Sequence, residues 1–370
     1  MFFVFLLFIL FSGSLFCYYL CIFKKVIAYK SKKLNASNKP VSVVICAKDE
    51  AGNLKTFLPS IYAQDYPDFE VVLIDDRSKD DTFDVIQSFK EKHPGNTKVV
   101  RVNISEDNRL RANKKYALTL GIKAATHNHL LFTDADCRPA SPQWIQRMTA
   151  KFTERKQLVL GYGAYESKRS FLNKLIRFET VQTALQYFSY ALKGMPYMGV
   201  GRNLAYTKDL FMDNNGFYTH LDILSGDDDL FVNEAATAEN TAVCLAPEAF
   251  TVSKPKLTWK AYINQKRRHI STANHYKTKH QLLLSFYFLS LAGFWITALI
   301  LLIKAYYWPV VLGIVFVRIG MAWYLNYKIN NKLHETSLNL YYPVLEISLL
   351  LFQLYIFVLN LIKKPPHWTS

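Results

Sequence analysis

The chain has 370 residues, enough for two average domains, and a formal charge of +16, but its apolar residues gather at its two ends rather than spreading evenly. Its five cysteines, Cys17, Cys21, Cys46, Cys137 and Cys244, form no C-x-x-C pair and two lie inside the first apolar run, which excludes a disulfide framework and a cysteine zinc site. The basic residues cluster beside apolar runs rather than along one helix or in a nucleic-acid motif, so the charge points to anionic lipid headgroups and an anionic substrate, with no nucleic-acid partner.

Met1 to Phe23 carries no charged side chain and is long enough to cross a hydrocarbon core of about 30 Å as a helix. No basic region precedes it and no small-x-small cleavage signal follows, so residues 1–23 read as a transmembrane anchor rather than a cleaved signal peptide. A basic juxtamembrane linker, residues 24–39, follows with Lys24, Lys25, Lys30, Lys32 and Lys33.

Short β-branched runs predict strands at Val41 to Ala47, Glu70 to Asp75, Lys98 to Ile104 and His129 to Asp134. Between them, polar segments with helical spacing run over about 52–63, 80–93 and 112–126. Strand alternating with helix implies right-handed crossovers and an open, mostly parallel α/β sheet. Further on, Phe171 to Gly194 carries a helical apolar stripe too polar overall to span, suited to core packing or to an interfacial helix presenting a lipid. A C-terminal membrane region, residues 280–364, contains three apolar runs at about 282–303, 307–327 and 340–362, before a tail at 365–370. Lysines and arginines after the first run and before the second make both flanks cytoplasmic under the positive-inside rule, placing the intervening region on that side. Lys328 and Lys332 agree, whereas Lys363 and Lys364 disagree if the last run crosses, so that run is either a span or an interfacial or re-entrant segment.

Ligands of such sheets bind beyond the carboxyl ends of the strands. Those positions hold Lys48, Asp49 and Glu50 after the first strand, Asp75, Asp76 and Arg77 after the second, and Asp134 and Asp136 after the fourth. If strand pairing persists that far, Asp134 and Asp136 face the same way, and their repulsion calls for a divalent cation, a shared proton or exposure to water. "CAKDEAGNL" is no glycine-rich phosphate loop, so a nucleotide here needs a metal on its phosphates, and oxygen-seeking Mg²⁺ or Mn²⁺ suits the D-x-D pair.

Over residues 40–275 the sequence resembles the family 2 glycosyltransferases with the GT-A fold, among them the membrane-integrated cellulose, chitin, hyaluronan and poly-GlcNAc synthases. "VSVVICAKDEAGNL" is similar to that family's opening strand and loop, "VVLIDDRSKDDT" to its nucleotide-contacting acidic turn, and "NKKYAL" to its lysine-bearing helix start. "TDAD" resembles its metal motif, "SGDDDL" its catalytic-base motif, and "QKRRH" the Q-x-x-R-W motif of the synthases. The resemblance implies that Ala47, Glu50, Asp75, Asp76, Lys114, Asp134 and Asp136 bind a nucleotide-sugar, with UDP as the expected nucleotide. Within that set Asp76 would meet the base, Asp75 support the turn and Lys114, beside its competitor Lys115, neutralise phosphates. Asp134 would touch sugar or ribose, and Asp136 would ligate the metal. Asp228 would be the general base, with Asp227 beside it; three acids also suit a helix N-terminus near Leu230. Gln265, Arg268 and His269 fit the spacing of the synthase motif, with Arg267 or Arg268 holding the leaving diphosphate. His269 stands where the synthases carry tryptophan, which weakens the case for processive synthesis. "MGVGRNLAY" resembles the acceptor loop, where Gly201 permits close backbone approach and Arg202 and Asn203 could bond hydroxyls or a phosphate. The expectation is an inverting, metal-dependent glycosyltransferase, integral to a bacterial cell membrane, with its catalytic domain cytoplasmic and a lipid-linked or glycan acceptor. The alternatives are a processive polysaccharide synthase and a catalytically idle membrane scaffold.

Overall fold

The computed structural model describes residues 1–30, 37–103, 114–223 and 225–362. Lys32, Lys33, Ile104, Ala112, Asn113, Lys363, Lys364 and the tail at 365–370 lie outside the described residues. Among the described residues ten strands form, in chain order β1 (Val41–Ala47), β2 (Phe69–Asp75), β3 (Thr97–Arg101), β4 (His129–Phe132), β5 (Cys137–Pro139), β6 (Leu158–Leu160), β7 (Gly163–Tyr165), β8 (Leu204–Thr207), β9 (Thr241–Val243) and β10 (Thr251–Ser253). The predicted first strand matches β1 at both ends, and the next three are recovered as β2 to β4 with shifted ends.

The main sheet runs β3-β2-β1-β4-β8-β6-β9. Its first four strands are parallel, while β8 is antiparallel to both β4 and β6. That reversal matters for the site: Phe132 pairs with Leu204, so the residues just before β8, Gly201 to Asn203, arrive beside the carboxyl end of β4. A small second sheet, β5-β10-β7, braces the segment that follows β4.

Strand β1 is covered on both faces, as a run of apolar residues without polar alternation requires. Val41, Val43, Ile45 and Ala47 join one buried cluster with Leu54 and Leu58 of helix Ala51–Tyr62 and Val85 and Ile86 of helix Thr82–Lys92. Val44 faces the other way, into a cluster with Ala117 and Ile122 of helix Lys114–Ala124 and Phe178, Val181 and Leu185 of helix Phe171–Leu192. This second cluster continues without a break into Phe8, Leu15, Phe294 and Ile329 of the apolar helices. The sheet is thus mounted on the membrane region through one face.

Helix Phe171–Leu192 is the mounting. Ser170 caps it by accepting from Asn173 N at 3.1 Å, and its stripe is buried from Leu175 to Phe188 with only Phe171 exposed at the start, which is packing rather than lipid presentation. Its Gln182 Nε2 donates to Asn326 Oδ1 at 2.5 Å, and its Arg177 forms a buried ion pair with Glu335, which also accepts from Tyr162 Oη.

Among the described residues, four helical segments are long and apolar enough to cross a membrane: Phe2–Ala28, Thr278–Ile303, Trp308–Lys332 and Thr336–Ile362. The third extends past the predicted end at Tyr327, and Lys332 Nζ reaches the carbonyls of Val26, Ile27 and Tyr29 at 2.7, 3.0 and 2.6 Å. A cation placed on the last carbonyls of the first helix satisfies acceptors that the helix itself cannot.

Candidate active site

Strands β1, β2 and β4 end side by side, with Ala47 paired to Asp75 and Asp76 N donating to Ala47 O at 2.8 Å. The two loops that leave β1 and β2 each hold a non-glycine residue in the left-handed region, Asp49 at φ 54° and Arg77 at φ 58°. Such backbone costs about 1 kcal/mol or more and persists where surrounding contacts fix it. Here Asp49 Oδ1 accepts from Lys79 N at 2.7 Å, and Ser78 Oγ accepts from Asp49 N at 3.0 Å, locking the loops together. Asp75, buried, accepts from Ser78 N at 3.1 Å, and Asp76, also buried, accepts from Arg77 Nε at 2.8 Å. Glu50 starts helix Ala51–Tyr62 and accepts from Asn53 at 2.5 Å; burial, then the nearby Asp136 and Asp134 charges, raise its pKa.

Asp134 and Asp136 do converge, but by a different route from the one the sequence suggested. Strand β4 stops at Phe132, and a turn closed by Cys137 N on Asp134 O at 3.1 Å brings the carboxylates together. Ligand atoms of Asp134, Asp136 and Cys137 lie within 4.8 Å of one another, the one such cluster found among the described residues. Cys137 is a poor member of it: its thiol is buried, shares a hydrogen bond with Ser253 Oγ at 2.9 Å, and is held well above the usual thiol range by burial and then by the two aspartates. The oxygen donors of Asp134 and Asp136 therefore define the site, and they fit a hard divalent cation. Burial and the Asp134 charge raise the Asp136 pKa, a strain that a cation relieves.

Lys114, the first residue of its helix, joins this turn to the acidic loop. Its Nζ lies 3.0 Å from Asp134 Oδ1 and 2.8 Å from Asp227 Oδ2. Burial works against the ammonium, but Asp134 and Asp227 together hold its pKa well above the usual lysine value. Lys115 does something else: buried, it donates to His220 O at 2.6 Å and Ile223 O at 2.9 Å, tethering the segment that leads into the acidic loop. Burial lowers its pKa to about 8.

In "SGDDDL" the three acids have different surroundings. Burial opposes ionisation of Asp227, but the Lys114 ammonium overrides it and keeps that carboxyl below the usual aspartate range. Asp229 is fastened to the segment before the second apolar helix, accepting from Thr272 Oγ1 at 2.5 Å and Tyr276 Oη at 2.7 Å. Asp228 caps helix Asp229–Ala235, accepting from Asp229 N at 2.8 Å, while its Oδ2 accepts from Gly201 N at 2.6 Å. Burial first, then the charges of Asp227 and Asp229, push Asp228 up to about 7. Cap and titratable group are the same side chain. A pocket lined by Cys46, Lys114, Thr133, Asp134, Gly201, Asp227 and Asp228 opens between these elements.

Two expected residues are placed elsewhere. Asn203 is fully buried, donating to Tyr162 O at 2.9 Å and Ala249 O at 2.7 Å and accepting from Trp144 Nε1 at 3.0 Å, so its amide ties the two sheets together instead of facing an acceptor. Arg267 is buried and donates to Asn360 Oδ1 at 2.8 Å, away from its neighbours in the "QKRRH" stretch. On helix Trp259–Thr272, residues three and four apart share a face, so Gln265, Arg268 and His269 stay together while Arg267 turns outward from them. The His269 side chain is accessible; protein around it, then Lys266, Arg268, Arg202 and Lys114, hold its imidazole well below the usual range, so it is neutral near pH 7. Arg202 stacks on the Tyr165 ring at 4.1 Å and donates to Ala164 O at 3.1 Å. Tyr165, Thr272 and Tyr276 were not singled out from the sequence; none belongs to a motif, and only the folded geometry brings them in.

The sequence matches the profile described as glycosyl transferase family 21 over residues 6–370. The chain belongs to that family. A poly-β-1,6-N-acetyl-D-glucosamine synthase of Staphylococcus epidermidis is 30% identical over 114 residues, 31% of this chain and 25% of that protein. An uncharacterized glycosyltransferase of Nostoc sp. is 32% identical over 114 residues, covering 30% of this chain and 32% of its own. A mannosyltransferase of Pyrobaculum calidifontis, solved in complex with GDP-Man and Mn²⁺, superimposes with a TM-score of 0.58 at 17% identity over 93% of this chain and 99% of its own. At that identity the likeness speaks to the fold, and it agrees with the GT-A expectation. This family 21 chain is a glycosyltransferase, as its motifs suggested.

Proposed function

We propose that this glycosyltransferase moves a sugar, with inversion, from a nucleotide-sugar donor to an acceptor hydroxyl at the cytoplasmic face of a cell membrane. The observation that carries the reading is Lys114 bridging Asp134 and Asp227, which gathers the metal-type turn, the phosphate-type lysine and the acidic loop into one pocket. Asp76 receives the base and Asp134 and Glu50 the sugar side. Asp136, with Asp134 near it, holds Mg²⁺ or Mn²⁺, which when bound neutralises charge on the departing diphosphate.

Asp228 takes the proton. Inversion needs one base and no enzyme nucleophile: the acceptor oxygen bonds to the anomeric carbon as the carbon–phosphate oxygen bond breaks, and the nucleoside diphosphate leaves with the electron pair. The hydroxyl proton passes to the Asp228 carboxylate, which Gly201 N and Asp229 N hold in place. A base poised near neutrality suits that transfer. In this reading Lys114 and Arg268 supply the cations that meet the leaving diphosphate.

UDP is the nucleotide we expect, and a lipid-linked or glycan molecule the acceptor. The supporting features are the basic flanks Lys24, Lys25, Lys277 and Lys279 beside apolar helices, which favour the cytoplasmic side. Purified full-length protein in detergent, supplied with Mn²⁺ and a panel of radiolabelled nucleotide sugars, tests the reading. Donor hydrolysis or transfer with a UDP-sugar is expected; neither hydrolysis nor nucleotide binding with any donor would leave a scaffold, and long insoluble product would mark a processive synthase.

A further inference from the structure

Helix Tyr342–Ile362, with 21 residues, spans about 31 Å at 1.5 Å per residue, enough to cross a membrane. A crossing helix must carry one of its ends to the membrane face opposite the catalytic domain. This helix is fastened to the catalytic domain at both ends. Near its start, the Tyr342 ring packs on Phe178 of helix Phe171–Leu192 at 5.9 Å. In its middle, Phe352 stacks on Tyr262 of helix Trp259–Thr272 at 5.0 Å with the planes 8° apart. At its far end, Asn360 accepts from Arg267 Nε at 2.8 Å and donates back to Arg267 O at 3.2 Å, with Arg267 6% exposed.

The other face of the helix is bare. Val344, Ile347, Leu351, Tyr355, Val358 and Ile362, spaced three or four apart, form one stripe of exposed apolar side chains, while Leu345, Leu349, Phe352 and Ile356 are buried beneath. Two exposed apolar residues from the catalytic domain lie in the same region: Trp259, 6.2 Å from Phe352, and Leu257 two residues before it in sequence. Exposed Lys260 follows Trp259 in sequence, a charge complementary to anionic headgroups. Lys363 and Lys364 follow the helix in sequence, and the positive-inside rule puts them on the side of the other lysine flanks only if the helix does not cross.

We propose that helix Tyr342–Ile362 does not cross the membrane but lies in the leaflet that faces the catalytic domain, its outer stripe and Trp259 bedded in acyl chains and the adjoining Lys260 among anionic headgroups. The helix is a ledge. It holds the helix carrying Gln265, Arg268 and His269 at headgroup level, where only an acceptor with its reactive group at the membrane surface meets the cleft. The placement rests on contacts, exposure and the flanking lysines and stands apart from the transfer reading, since its test reads topology and not activity.

The test uses the full-length protein with two epitope tags, one inserted at the exposed Gly95 turn of the catalytic domain and one after Ser370, in sealed lipid vesicles treated with protease from outside. With a non-crossing helix the two tags share one fate on every chain, both kept where the catalytic domain lies inside the vesicle and both lost where it lies outside. Both tags then disappear together after detergent. If the helix crosses, every chain in a sealed vesicle loses one tag and no chain retains both, and that result overturns the proposal.

Discussion

Lys114 Nζ stands 2.8 Å from Asp227 Oδ2, joining a helix start to a loop more than a hundred residues later in sequence. The pairing divides labour between adjacent acids: Asp227 is held ionised by the ammonium, and its charge in turn helps push Asp228 up to about 7. A base must be deprotonated to act. Transfer should therefore climb about tenfold from pH 6 to 8 and level off above, because a carboxyl with its pKa raised to about 7 is mostly protonated below it. Asp228→Asn should lower kcat by about 10² to 10⁴-fold and remove that limb while nucleotide binding persists. A pH–rate profile with unchanged shape in the residual activity would remove Asp228 from the role.

Removing the cation at Lys114 should act on both partners. Lys114→Met takes away the charge that holds Asp227 ionised and leaves two aspartates without it, so the acid limb should move to higher pH, and donor affinity should fall by about 10- to 100-fold through the lost phosphate contact. Lys115→Met should keep donor affinity and move the limb less, its charge acting on Asp227 after that of Lys114; it releases the carbonyls of His220 and Ile223 and should lower thermal stability. Titrating a fluorescent nucleotide and repeating the pH profile with both variants separates the two lysines.

What was legible in the sequence follows from periodicity and local chemistry. β1 could be read because seven β-branched or small residues lie between turn formers, and the acids at the strand ends could be collected because parallel topology fixes where a site forms. β5, β6, β7, β9 and β10 were not read, since three-residue strands carry too few positions to show alternation. The convergence of Asp134 and Asp136 was read correctly for the wrong local reason, a strand where a turn forms. Asn203 was misplaced because a polar residue after two glycines looks available, and only the fold shows three buried partners waiting for its amide.

The two adjacent arginines of "QKRRH" make a sharper contrast than their sequence suggests. Arg267 is buried against Asn360, so Arg267→Ala leaves polar groups unmatched and should cost about 1–3 kcal/mol of stability, read as a lower melting temperature in detergent. Arg268→Ala should leave the melting temperature near that of the parent and reduce kcat, since its face carries Gln265 and His269. The reverse pattern would move the diphosphate contact to Arg267.

Divalent metal should bind where Asp136 is. Chelation of the purified enzyme should abolish transfer and Mn²⁺ restore it, and Asp136→Ala should remove bound Mn²⁺ seen by electron paramagnetic resonance without unfolding the chain. Cys137→Ser should keep the metal, because the buried neutral thiol is not a donor. Activity that survives in Asp136→Ala would sink the assignment.

Gly226 opens the acidic loop at φ +95°, where an added Cβ would stand 2.5 Å from Leu230 Cδ1. Two independent penalties meet there. A side chain strains the left-handed backbone, by about 1 kcal/mol or more, and collides with a buried leucine, which adds about 1–3 kcal/mol of overpacking. Gly226→Ala should therefore lower stability and, by shifting Asp227 and Asp228 relative to Lys114 and Gly201, reduce kcat more than donor affinity. The double variant Gly226→Ala with Leu230→Ala removes the collision but not the strained φ. It should restore only part of the loss of kcat, whereas full recovery would mean that packing alone requires the glycine.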